Sequence, residues 1–188
     1  MRVGVAHHFG WAVVVTAAAD GRVVDRRRVE LIEPGLPAAP VHHVGGPHDM
    51  HRDAAPVTHD ALAALVADVR ASAQRMASRV WGELAAAVAE PIVSVSVRDW
   101  PADFPSDVAI QRRVPHESRA DSIMYCQVLA ATAADRGWAV HRYDAKRVEQ
   151  QAVELVGDVL QLPRATLGPP WSKDHRLALA ATIVAAHR

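Results

Sequence analysis

Val3-Gly-Val-Ala-His-His-Phe-Gly-Trp-Ala-Val-Val-Val-Thr16 opens the chain and sets its architecture. Val3–Ala6 is a short β-prone run, His7–Gly10 reads as a turn, and Trp11–Thr16 is a second strand. Asp20-Gly21 is a strong hairpin signal, because Gly supplies the positive φ of a tight turn. From Arg22 to Ile32 a third strand follows, with Val29 and Leu31 alternating against Arg28 and Glu30, so one face is wet. Three antiparallel strands therefore begin the domain.

Outward from that opening, residues 33–57 are rich in Pro, Gly and His, a long connection for a compact domain. Thr58 caps a long helix whose apolar stripe runs through Leu62, Leu65, Val66, Val69, Met76, Val80, Leu84 and Val88 and stops at Pro91. Ile92–Val97 alternates as a strand. Another helix starts at Ser118 or Asp121, carries Ile123, Met124, Val128 and Leu129, and stops at Gly137. Trp138–Tyr143 is a fifth strand. Asp144 caps a helix to Gly157 with Val148, Ala152, Leu155 and Val156 inward; 158–170 reads as a loop, and a last helix follows Ser172. The order β-β-β-α-β-α-β-α-α predicts an α/β fold: one domain over 1–188, with a mixed five-stranded sheet flanked by helices.

Composition narrows the function classes. Half of the 188 residues are hydrophobic and 22% are charged, as in a globular domain with one sizeable core. Lys and Arg (21) balance Asp and Glu (21), so the net charge does not support nucleic-acid binding, which stays possible only through a local patch. A single cysteine, Cys126, in an apolar helical segment reads as an inert core thiol. No segment has the roughly 20 apolar residues of a membrane span. His7, His8 and Gly10 interrupt any signal-like run, so the expectation is a cytoplasmic protein without a membrane partner. The wide stripe of the helix over 58–89, with Met76 and Trp81, predicts a homodimer that buries the surplus.

Four stretches together resemble the ribonuclease H-like superfamily, most closely the RuvC-type Holliday-junction resolvases. They are Val3–Val14; Ser118–Val140, ending Asp-Arg-Gly-Trp-Ala-Val; Tyr143-Asp-Ala-Lys-Arg-Val148; and Asp174-His-Arg-Leu-Ala-Leu-Ala180. The resemblance implies a mixed sheet with helices on its faces. It also implies a nuclease in which two divalent cations sit between carboxylates and the scissile phosphate. Those acids come from the first strand, the end of the fourth strand and the final helix. Here the first-strand position reads Ala6, the nearest fourth-strand acid is Asp99, and the final-helix positions fall on Ser172 and His175. Asp174 points about 100° away around that helix.

The departures leave two readings. In one, the fold has lost standard two-magnesium chemistry and serves as a binding or interaction module. In the other, a non-standard metal-dependent phosphodiesterase or nuclease uses Asp99, Asp174 and His175 as catalytic groups and His7, Asp99 and His175 as metal ligands. Manganese or zinc suits that set better than magnesium. Arg98, Arg112, Arg113 and Lys173 are the candidate phosphate contacts. Each candidate also has a plainer role. Ser172 is an N-cap, Asp174 complements a helix dipole, Asp99 stabilises a turn, and His42, His43, His48, His51 and His59 decorate a solvated loop. Trp11, Trp100 and Trp171 are either base-stacking platforms or half-buried packing.

Overall fold

In this computed structural model the described residues are 1–45 and 57–188. The strands are β1 (Arg2–His7), β2 (Trp11–Ala17), β3 (Val23–Glu30), β4 (Ser94–Arg98) and β5 (Ala139–Tyr143). They form one sheet in the order β3-β2-β1-β4-β5. β1 and β3 run antiparallel to β2, while β4 runs parallel to both β1 and β5. Gly10 (φ 77°) makes the first hairpin and Gly21 (φ 83°) the second. At the second, Asp20 Oδ1 accepts a 2.9 Å bond from Arg22 N. The Arg-rich β3 is an edge strand, where charge discourages pairing with another chain.

Two helical layers cover the sheet. α1 (His59–Ala87) and α3 (Glu117–Ala134) pack on the face formed by Val3, Val5, Ala12, Val14, Val95 and Val97. Thr58 Oγ1 caps α1 by accepting from Ala61 N. Trp81 and Met76, which suggested a surplus stripe, are instead buried within the chain, and Trp81 Nε1 donates to Thr132 Oγ1 at 2.9 Å. The surface on which the dimer expectation rested is therefore already covered.

The opposite face carries α6 (Lys173–Ala186), with α4 (Val148–Val156) beside it. α6 lies on β1 and β4 along small residues, Ala178, Ala180, Ala181 and Thr182, all buried. At Gly4 the approach is so close that a Cβ would overlap the Ala178 carbonyl. Ser96 Oγ donates to Ala181 O on the same seam.

Some elements differ from expectation, each for a local reason. α4 starts at Val148 because Asp144 forms a turn first, its side chain accepting from Lys146 N at 2.8 Å. Leu155 and Val156, expected inward, are 46% and 39% exposed. Residues 158–170 contain a helix, α5 (Leu162–Leu167), with Pro163 in its first turn. It buries none of its residues, so no apolar period marks it. Short α2 (Val108–Gln111) and a π-helical segment at Pro40–Gly45 also interrupt expected loops.

Gly4→Ala forces α6 off the sheet. Urea denaturation should show a loss of about 3 kcal/mol, the upper end for overpacking.

Candidate functional site

The C-terminal ends of β1, β4 and β5 meet the start of α6 at one edge of the sheet. Strand alternation decides which side chains face it. On β1, Gly4 and Ala6 point toward α6, and Ala6 packs with Val13, Tyr143, Leu177 and Ala178. On β4, Ser96 reaches α6 through Ala181 O, so Arg98, two residues on, shares that face. Arg98 is in register with Tyr143 of β5, whose hydroxyl donates to Val5 O at 2.7 Å. Burial pushes the Tyr143 phenol well above its usual range, and Arg98 beside it opposes that shift. Arg98 Nε is buried and has no hydrogen-bond partner among the described residues. The β4 residue facing α6 at this edge is thus a guanidinium. Arg98, expected as a phosphate contact, thus takes the α6-facing position, and Asp99, expected as the acid there, does not.

Asp99 lies just past β4, on the other side of the strand's alternation. It pairs with Arg142, whose guanidinium lies 4.0 Å from the Trp100 ring, and its backbone N donates to Tyr143 O. His7 faces the α1–α3 layer instead of α6. Its Nε2 is 2.9 Å from Ser122 Oγ and 3.5 Å from Cys126 Sγ. Burial first, then the charges of Arg98 and His8, hold its pKa down to about 3, so it stays neutral. Burial likewise pushes the Cys126 thiol up to about 12, which makes it inert.

At the start of α6, His175 turns inward. Its Nδ1 accepts from Ser172 N at 3.1 Å and lies 2.8 Å from Ser172 Oγ, completing a capping box. Burial lowers its pKa, with Arg26 adding to the shift and Asp174 opposing it. Asp174 faces the edge and pairs with His8 at 3.1 Å. His8 stacks on Trp11 at 4.1 Å, and Arg28 lies 4.6 Å from the same indole. Trp11 therefore packs against two side chains, and Trp171 is buried with its Nε1 on Leu160 O.

His7, Asp99 and His175, expected as one metal set, point to three different environments. Among the described residues no group of three or more His, Cys, Asp or Glu side chains is placed to hold a metal ion. Of the catalytic trio, Asp174 is at the edge, while Asp99 and His175 are held by Arg142 and Ser172. Of the phosphate candidates, Arg98 and exposed Lys173 lie at this edge. Arg112 instead ties loops together, donating to Gly45 O and Val57 O at 3.1 Å each. Arg113 is exposed beside it, in the segment before α3. In the His-rich stretch, His42 and His43 pack with Phe9, and His59 is exposed at the start of α1. His48 and His51 lie outside the described residues.

Asp121, expected with Ser118 as a possible helix start, is instead buried inside α3, which begins at Glu117. Asp121 of α3 accepts from Val41 N at 3.1 Å and His42 N at 2.9 Å, holding the π-helical segment. Burial raises its pKa to about 6, against the two N–H groups that lower it. Its only signal in the sequence was an acid inside an apolar helical stretch.

The mixed five-stranded sheet flanked by helices is the fold of solved RuvC resolvase structures. Thermus thermophilus RuvC in complex with a Holliday junction substrate is similar over 99% of this chain and 92% of its own, with 14% identity and a TM-score of 0.55. A second Thermus thermophilus RuvC structure is 16% identical over 99% and 93% of the two chains, with a TM-score of 0.49. No protein-family model and no curated protein sequence matches the chain.

The buried pair His7 and Asp121 shapes acid stability with opposite signs. The His7 pKa falls from 6.5 unfolded to about 3 folded, so its contribution is complete above 6.5 and lost as pH falls toward 3. For Asp121 the pKa rises from 3.8 to about 6, so its contribution is present below 3.8 and lost as pH rises through 6. His7→Gln, which can still bond Ser122, should therefore lose about 3 kcal/mol less than the parent between about pH 7 and pH 4. Chemical denaturation at both pH values checks this, and an equal loss in both proteins would show that His7 is not the group responsible.

Proposed function

We propose that this chain is a nucleic-acid-binding module on a resolvase-type fold, which holds phosphate by a guanidinium and does not cleave through two metal ions. The observation that carries the reading is Arg98 on β4, facing α6 next to the buried Ala6. Two divalent cations beside a phosphate need clustered negative oxygens. Ala6 has none to offer, and Arg98 puts a positive charge where a second carboxylate would complete the cluster. The same guanidinium is well suited to a phosphate diester, because its fixed N–H fork matches phosphate oxygens. Lys173, exposed on the first turn of α6, adds a second cation at the edge. The similar structure that holds a Holliday junction makes branched DNA the first substrate to try.

Such binding rests on a local patch, since the net charge is zero. It is therefore expected to be modest and to weaken with salt. Fluorescence anisotropy on labelled branched and single-stranded DNA should show salt-dependent binding. Arg98→Gln should weaken it by roughly tenfold and lower the slope of log affinity on log salt by about 1, with unchanged thermal unfolding. Purified protein should leave the DNA intact with magnesium, manganese or zinc. Cleavage that needs manganese or zinc and falls on Asp174→Ala or His175→Ala would instead establish the metal-dependent phosphodiesterase. Absence of binding to either DNA would refute the module as stated.

A further inference from the structure

At the far end of α6 from this edge, a second concave site encloses about 530 Å³. With 14 residues at a rise of about 1.5 Å each, α6 separates the two places by about 20 Å. The walls are the β2–β3 hairpin (Ala18–Val23), the last turns of α6 (Leu179, Ile183, Ala186) and α5 with Val159. The volume lies within the range of small-molecule sites, and the lining is mostly aliphatic.

The wall formed by α5 is held open by specific bonds. This helix contributes nothing to the core, yet it is fastened at both ends. Before it, Leu160 O accepts from Trp171 Nε1 at 2.8 Å. After it, the Arg26 guanidinium donates to Leu167 O at 2.7 Å and Gly168 O at 2.9 Å, and also to Pro170 O. The fastened helix keeps Leu162 and Leu167 62% and 42% exposed over the cavity, and Val156 of α4 adds a third half-exposed aliphatic group. Apolar surface held out of the core in a preformed concavity is what an apolar ligand body requires.

The mouth carries the polar selectivity. Arg22 lines it, and its guanidinium makes no ion pair or side-chain hydrogen bond among the described residues. Asp20, the one carboxylate there, is engaged by Arg22 N. His187, exposed in the same lining, spends its Nδ1 on Ile183 O.

We propose that this cavity binds a small amphiphile with an apolar body and one anionic end, a fatty-acid-like carboxylate, its chain between α5 and α6 and its anion on Arg22. The site is independent of the DNA-binding reading and stands or falls apart from it.

The test uses the full chain with decanoate and its uncharged counterpart decanol as probes, read by backbone amide NMR. Decanoate should give saturable shifts confined to residues 18–23, 159–167 and 179–187, with decanol at least tenfold weaker. Thr166→Trp, at an exposed lining position, should fill the cavity and abolish the shifts without unfolding the protein. Arg22→Ala should bring decanoate down to the affinity of decanol. Equal binding of both probes by the parent would overturn the anionic selectivity. Undiminished binding by Thr166→Trp, no saturable shift with either probe, or a concentration-dependent dimer dispersed by Thr166→Trp would overturn the site.

Discussion

The close seating of α6 on β1 and β4 is the contact on which the rest depends. Helix and sheet approach until a single methyl at Gly4 would strike the Ala178 carbonyl, and alanines fill the remaining seam. Close packing of small groups is dispersion-dominated and intolerant of added volume. One consequence is positional. With α6 locked at Gly4 and Ser96, its first turn must arrive at the ends of β1 and β4, and its last turn must reach the β2–β3 hairpin. Both sites on this face, the cationic edge and the apolar cavity, take their geometry from one helix.

Charge at the edge is arranged differently from a metal site. A two-metal centre gathers carboxylates whose mutual repulsion is relieved only by cations. Here each acid near the edge already has a basic partner: Asp99 has Arg142 and Asp174 has His8. Both are exposed pairs, so each contributes little to stability. Among the described residues, Arg98 and Lys173 are the cations at this edge without an acidic partner. His175, although polar, spends its ring nitrogen on the helix cap, and His7 is sealed in the opposite layer as a neutral base.

The same face shows how a fold can hold apolar surface out of its core. Arg26 sits on an edge strand and looks like a solvated charge in the sequence, but it grips the carbonyls of 167–170. A guanidinium suits that task because its several donors lie in one plane. The carbonyls it satisfies would otherwise be stranded at the end of a six-residue helix. Trp171 anchors the other side, so α5 stands off the sheet instead of collapsing onto it.

Period and turn chemistry by themselves determined the order of the five strands and of the longer helices α1, α3, α4 and α6, the two N-terminal hairpins, the buried stripes of α1 and α3 and the inert thiol. These follow from local rules that a linear chain displays. The sequence also showed that Ala6, near the end of the first strand, offers no ligand atom whatever the fold does. What it could not decide was facing. Asp99 and Arg98 are neighbours, and so are His7 and Ala6, yet a one-residue step on a strand moves a side chain through the sheet. Only the register of β4 against β5 and the seat of α6 selected Arg98 over Asp99 and turned His7 away from the edge. The roles of Asp121, Arg26 and α5 stayed hidden for a related reason: their partners lie tens of residues away in the chain, and long-range hydrogen bonds leave no period in a sequence.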